Sequence, residues 1–248
     1  MDTVENMTMP VYDTAFYDRA DKSAVAARAI ISILGSILEV GSVLDVGCAR
    51  GTWLAAWRQA GCHEVFGIDG PFVTQDQLLI DPACFMTADL SVPFNLGRRF
   101  DIVQCLEVAE HLPRSRSASL VEDLVAHADT VIFSAAPPGQ GGVGHGNERP
   151  YAFWQGLFAQ HGYVACDYLR PALRGNEEVP YWYRYNMILY VKSDMVHQLH
   201  RPASACQSPP GAEIADISTI SFRIRKIILR LLPPSVIDFL AHQVARLG

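Results

Sequence analysis

The run Val43-Leu-Asp-Val-Gly-Cys-Ala-Arg-Gly51 ends an apolar strand in a turn of small residues. Glycines at 47 and 51 leave room for a ligand to approach the backbone, which a Cβ would block. Beyond the helix that follows, residues 65–68 form a second apolar run that closes on an acid, Asp69. A strand, a glycine turn, a helix and an acid at the end of the next strand make a nucleotide-binding arrangement. Asp69 stands where it can accept from two ribose hydroxyls, and Asp89, after a third and weaker run, from the exocyclic amine of adenine. A phosphate binder aims a helix N-terminus at its anion, usually behind Gly-x-Gly-x-x-Gly. Here the motif is Asp45-Val-Gly47-Cys48-Ala49-Arg-Gly51. A carboxylate inside it suits a cationic or hydroxyl-bearing group better than a pyrophosphate.

The elements that must position these residues follow from periodicity. Residues 13–40 carry Ala, Ile and Leu at helical spacing, and Gly41 stops them. Strands are expected at 43–46, 65–68, 84–88, 100–106, 130–134, 163–169 and 187–191, with helices at 52–60, 116–128 and 151–161. Strands alternating with helices give a Rossmann-like, doubly wound α/β fold: a seven-stranded, mostly parallel sheet. The last two strands, joined by a polar excursion at 170–180, predict an antiparallel hairpin at one edge. Residues 135–148 are rich in glycine and proline, a long loop of the kind that lines sites. The chain divides into a helical segment over the site (1–40), a binding domain (41–196), a linker rich in Pro and small polar residues (197–218) and a short helical tail (219–248).

At this point the chain resembles the class I S-adenosylmethionine-dependent methyltransferases, over roughly residues 10–192. The Val43–Gly51 run is similar to the family's first motif, Ile68-Asp69 to the second, and Ala88-Asp89-Leu90 to the third. Asp101-Ile-Val-Gln-Cys-Leu106-Glu107-Val-Ala-Glu110-His111-Leu112 resembles the strand-four segment with its Glu-His-Leu ending. The resemblance implies S-adenosylmethionine as cofactor and S-adenosylhomocysteine as product. It puts Asp45, Gly47, Cys48, Ala49, Gly51 and Trp53 at the amino-acid end, Asp69 and Gly70 at the ribose and Asp89 and Leu90 at the adenine. Leu106, Glu107 and His111 then line the cofactor from the fourth strand. Ala49 departs from the pattern, which has glycine there.

Methyl transfer is an in-line displacement, and a hydroxyl acceptor needs a base to take its proton. Two histidines are candidates: His111 past the fourth strand, and His145 in Pro137-Pro-Gly-Gln-Gly-Gly-Val-Gly-His-Gly-Asn-Glu148. Imidazoles are basic at neutral pH. With Glu148 they also form a possible set of metal ligands, a reading the loose spacing does not favour. Tyr17, Trp154, Trp182, Glu148 and Asn186 are the expected acceptor contacts, because rings with polar edges suit a saccharide or a polycyclic small molecule. The expected activity is O-methylation of a small molecule or saccharide, in a chain similar to bacterial methyltransferases. An amine acceptor such as an amino sugar is the alternative, and it would tolerate loss of both histidines. A non-catalytic cofactor-binding subunit is disfavoured by the intact Asp45, Asp69 and Asp89.

Bulk properties narrow the partners. The 248 residues are 50% hydrophobic and 19% charged, with a formal charge of −6, which argues against a nucleic-acid binder. Six cysteines form no Cys-x-x-Cys motif, no signal peptide is visible, and no apolar run approaches the roughly 18 residues of a spanning helix. A cytoplasmic location is expected. In the tail, Ile220, Ile224, Ile227, Ile228 and Leu231 share one helical face and Arg223, Arg225, Lys226 and Arg230 the other. Such a helix packs on its own domain, pairs with a second copy, or lies on the inner face of an anionic membrane.

Overall fold

The computed structural model describes the backbone of residues 14–200, 203–208 and 212–247, and side chains from Ser23 onward except at 234, 235, 238 and 244–247. Eight strands form one sheet in the order β3-β2-β1-β4-β5-β7-β6-β8. Strands β1 (Ser42–Val46), β2 (Glu64–Asp69), β3 (Phe85–Thr87), β4 (Ile102–Leu106) and β5 (Thr130–Ser134) run parallel. Strand β7 (Ile188–Lys192) inserts antiparallel between β5 and β6 (Tyr163–Cys166). The order turns back between β1 and β4, and ligands of such sheets bind where the order reverses.

Side chains alternate across the sheet, so each strand feeds two cores. Val43 and Ile102 face one, with Ile30 and Leu34 of α1 (Thr14–Gly35) and Trp57 of α2 (Thr52–Gln59). Leu44, Val46 and Val103 face the other, with Leu120 and Leu124 of α3 (Ser117–His127) and Trp154 and Phe158 of α4 (Tyr151–Gln160). Burial on both faces explains why β1 and β4 are mostly apolar rather than alternating, each broken by one buried polar residue, Asp45 and Gln104.

Several expectations change, including the strand number, which is eight rather than seven. Helix α1 ends at Gly35, short of Val40, in a turn where Ile37 N and Leu38 N donate to Leu34 O. The strand expected at 163–169 stops at Cys166, and the excursion after it folds into α5 (Leu169–Leu173) and α6 (Tyr181–Asn186). The two strands form the antiparallel pair expected towards that edge, but helices rather than a turn connect them, and β7 lies inside the sheet. The edge itself is β8 (Gln207–Ser208), a two-residue strand paired with β6. It comes from the stretch expected as a linker, in which Ala203 and Ile214 are also buried.

Helices α7 (Ile220–Arg230) and α8 (Pro234–Leu247) close the chain. Among the described residues no helix is long and apolar enough to cross a membrane.

Candidate functional site

The turn after β1 holds three left-handed residues in five positions: Gly47 (φ 82°), Ala49 (φ 46°) and Gly51 (φ 81°). Glycine adopts this conformation freely, while alanine does so at a cost of about 1–2 kcal/mol. Ala49 is held there by its own N–H, which donates to Asp69 Oδ2 at 2.6 Å. A Cβ at Gly47 would overlap Val108. Gly47 N and Cys48 N donate to Ile68 O at 2.8 and 3.3 Å, so the turn is pinned to the end of β2. Gly51 caps α2 with no side-chain hydrogen bond. Trp53 in its first turn is buried, its ring edge-on to Tyr183 at 5.2 Å.

Two carboxylates meet at this turn. Asp69 also accepts from Gly70 N at 2.6 Å. Its oxygens keep lone pairs for further donors, and burial raises its pKa despite both backbone N–H groups. Asp45 is 3% exposed. Burial, with the Asp69 charge adding to it, pushes its carboxyl up to about 8. Among the described residues no cation pairs with either. Asp89, past β3, is exposed and accepts from Ser91 N at 2.9 Å, which lowers its pKa. Leu90 beside it is buried.

The end of β4 is built differently. Glu107 sits at φ 56°, strained for a residue other than glycine. Its N–H donates to Ser134 O at 2.9 Å, while its carboxylate accepts from Asn186 Nδ2 at 3.2 Å and Gln140 Nε2 at 3.1 Å. Asn186 Nδ2 donates also to Gln140 Oε1 at 2.8 Å, and Tyr151 Oη donates to Asn186 Oδ1 at 3.1 Å. Glu110, fully buried, accepts from Ala136 N at 3.2 Å through Oε1. Burial and the Glu107 charge raise its pKa well above the usual range. Gln140, Ser134, Glu110 and Tyr151 were not singled out in the sequence. The signal for Gln140 was there, in the Pro-Gly-Gln of the loop.

That loop is clamped. Glu148 accepts from Gly139 N at 2.6 Å and Gly141 N at 2.7 Å. Asn147 Nδ2 donates to Ala109 O and Ser117 Oγ at 3.0 and 2.9 Å. His145 Nδ1 lies 3.2 Å from Glu148 Oε1, and its ring is edge-on to His111 at 4.8 Å. His111 keeps one edge open to solvent, yet the atoms crowding its ring and the His145 imidazole push its pKa down to about 4. Glu110, rather than Glu148, joins the two histidines in a group whose ligand atoms lie within 4.8 Å of one another. A Cβ on Gly142 would overlap the His145 ring. Gly142→Ala is therefore expected to displace that ring, lowering kcat while leaving cofactor affinity unchanged; steady-state kinetics beside a titration check it.

Among the expected acceptor contacts, Trp154 is a core residue: it is 2% exposed and packs on Phe133 at 4.9 Å. Its helix turns that side chain into the sheet, away from the strand ends. Trp182 is half-buried against Tyr181 and Tyr183. The Tyr17 side chain lies outside the described residues. Asn186 and Glu148 meet at the site, each as part of the hydrogen-bond frame just described.

The family model described as "Methyltransferase domain" matches residues 17–164. The chain belongs to that family, and its fold is that of the class I S-adenosylmethionine-dependent methyltransferases. Among solved structures, it is similar to magnesium protoporphyrin IX methyltransferase from Synechocystis PCC 6803 with bound SAM, at 21% identity and a TM-score of 0.51, covering 74% of this chain and 86% of that one. It is also similar to the sugar N-methyltransferase KedS8 from a Streptoalloteichus species, at 18% identity and a TM-score of 0.54, covering 77% and 96%. At this identity the likeness is one of fold. No curated protein matches by sequence.

The residues fit a cationic cofactor. S-adenosylmethionine carries a sulfonium and an ammonium against one carboxylate. The turn at 47–51 bares backbone, and among the described residues no cation offsets the buried Asp45 and Asp69.

Proposed function

We propose that this chain transfers the methyl group of S-adenosylmethionine to a hydroxyl of a small molecule or saccharide, with His145 as general base. The observation that carries the reading is the His145–Glu148 contact. With Nδ1–H donated to Glu148, the imidazole is fixed in the tautomer whose Nε2 is a proton acceptor. The bound cofactor supplies an electrophilic methyl on sulfur. Asp69 accepts the ribose hydroxyls, Asp89 and Leu90 flank the adenine, and Gly47 to Gly51 let the amino-acid end approach the backbone. Asp45 sets the negative potential that favours the cation. Glu107, held by Asn186 and Gln140, walls the acceptor side. The test is kinetic: His145→Ala should stop turnover of hydroxyl acceptors and spare cofactor binding.

An amine acceptor is the second reading, favoured by the Glu107 carboxylate, which no cation pairs among the described residues. A neutral acceptor amine would donate an N–H to it and turn its lone pair to the methyl. His145→Ala would then keep most of its activity. The six free thiols support a reducing, cytoplasmic setting. We take 41–196 as the catalytic domain, with α1 packed against its core and the helices of 219–248 as a tail that docks on it.

Asp45 also makes the binding pH-dependent. Its folded pKa of about 8 exceeds the ordinary 3.8, so the folded apo state binds the extra proton between these values. Stability from this group is present below pH 4 and lost as pH rises through 8. A cationic cofactor favours the ionised form, so its affinity should rise across the same window, with release of a proton. Calorimetric titration at neutral pH in buffers of different ionisation enthalpy reads that proton, and Asp45→Asn should abolish it.

A further inference from the structure

Helix α7 meets the domain with the side that carries Lys226, Arg230 and Phe222, and Leu229 of α7 and Ile237 of α8 face Gly141. Lys226, 3% exposed, pairs with Asp216 at 2.5 Å, and its backbone carbonyl covers Gly139, where a Cβ would overlap it. Arg230 Nε donates to Pro138 O at 2.8 Å. Phe222 packs on Tyr181 and Tyr185 at 4.8 and 5.7 Å. The apolar side of α7 is left to solvent: Ile220 is 75% exposed, Ile227 58% and Leu231 81%, with Ile224 and Ile228 between them. On α8, Val236, Phe239 and Leu240 are exposed as well. An amphipathic helix normally buries this face, and a contiguous exposed apolar patch marks a contact surface.

Charge selects the occupant. Arg223 and Arg230 flank the α7 stripe on one side and Arg225 on the other, by the 3.6-residue period. Residues 219–248 hold five cations and one acid, a net charge of +4, so the remaining 218 residues carry −10 of the chain's −6. A second copy on a two-fold axis would bring these arginine rims against their own images, because such an interface presents the same patch to itself. An anionic bilayer instead accepts the apolar face among its acyl chains and the arginines among its headgroups. It also repels the acidic remainder, which orients the docked chain.

We propose that α7 and α8 dock this protein on an anionic lipid surface. The docked helix is the one that presses on Pro138 and Gly139, so the loop carrying His145 and Glu148 sits directly behind the membrane face. The proposal does not depend on the acceptor or on the role of His145.

The experiment is sedimentation of the full chain with vesicles of phosphatidylcholine alone or mixed with phosphatidylglycerol. Binding is expected only to the mixed vesicles and should weaken as salt is added. Ile224→Ser combined with Ile228→Ser should abolish it. Arg223→Glu combined with Arg225→Glu should lower it at least tenfold, since each cation near such a surface is worth roughly fivefold. Unchanged S-adenosylhomocysteine binding by both variants shows that they remain folded. No binding to either vesicle, or equal binding by the wild type and the serine variant, overturns the proposal. A dimer by light scattering that the serine variant dissociates, without vesicle binding, assigns the face to a second copy instead.

Discussion

Asp69→Ala weakens the binding of S-adenosylmethionine and S-adenosylhomocysteine by about 1–3 kcal/mol, roughly fivefold to a hundredfold. Two losses combine in that figure. The ribose hydroxyls lose a charged acceptor, and Ala49 loses the 2.6 Å hydrogen bond that holds it at φ 46°. The second loss loosens the turn on which the amino-acid end rests. Asp69→Asn separates them, because its carbonyl oxygen can still accept from Ala49 N while the ionic acceptor is gone. Calorimetry reads both variants. Affinity unchanged in Asp69→Ala would remove the ribose assignment, and an asparagine variant as weak as the alanine one would place most of the effect in the charge. Ala49→Gly is the complementary change: it relieves the left-handed strain and should not weaken binding.

His145→Ala lowers kcat on a hydroxyl acceptor by about 10²- to 10⁴-fold, the usual contribution of a positioned base. Cofactor affinity should hardly move, since the ring contacts Glu148, His111 and Gly142 rather than the turn after β1. Glu148→Gln should cost less. It keeps an acceptor for the imidazole N–H but loses the charge that stabilises the protonated ring. It also loosens the grip on Gly139 N and Gly141 N, so its melting temperature should be measured beside its rate. Full activity in His145→Ala leaves His111 as the remaining imidazole. Its pKa, pushed down to about 4, keeps it neutral across the working range but makes it a weak proton acceptor. Full activity in His145→Ala and in His111→Ala would favour the amine reading, in which an already deprotonated acceptor needs only positioning.

The cofactor half of the site was legible along the chain because it is local. Gly47, Ala49, Gly51, Asp69 and Gly70 lie on one strand–turn–helix–strand unit, and the left-handed turn is dictated by glycine at its ends. The parallel strands were legible for a related reason: runs buried on both faces are mostly apolar, as in β1 and β4 apart from Asp45 and Gln104. The first departures come where length is too short to leave a pattern, as in the two-residue β8 and the short helices α5 and α6. Residue type alone also misassigned Trp154, since an indole on a helix says nothing of which way that helix faces. Only the tertiary structure could bring Glu107, Gln140 and Asn186 into one network, because they come from the end of β4, the loop after β5 and α6. The same holds for the tail. Its sequence displays an apolar and a basic face with equal clarity, and composition cannot decide which meets the protein. The fold decided it through Asp216, Pro138 and the Tyr181 and Tyr185 rings, which offer partners to Lys226, Arg230 and Phe222, while Ile220, Ile224, Ile227 and Ile228 stay exposed.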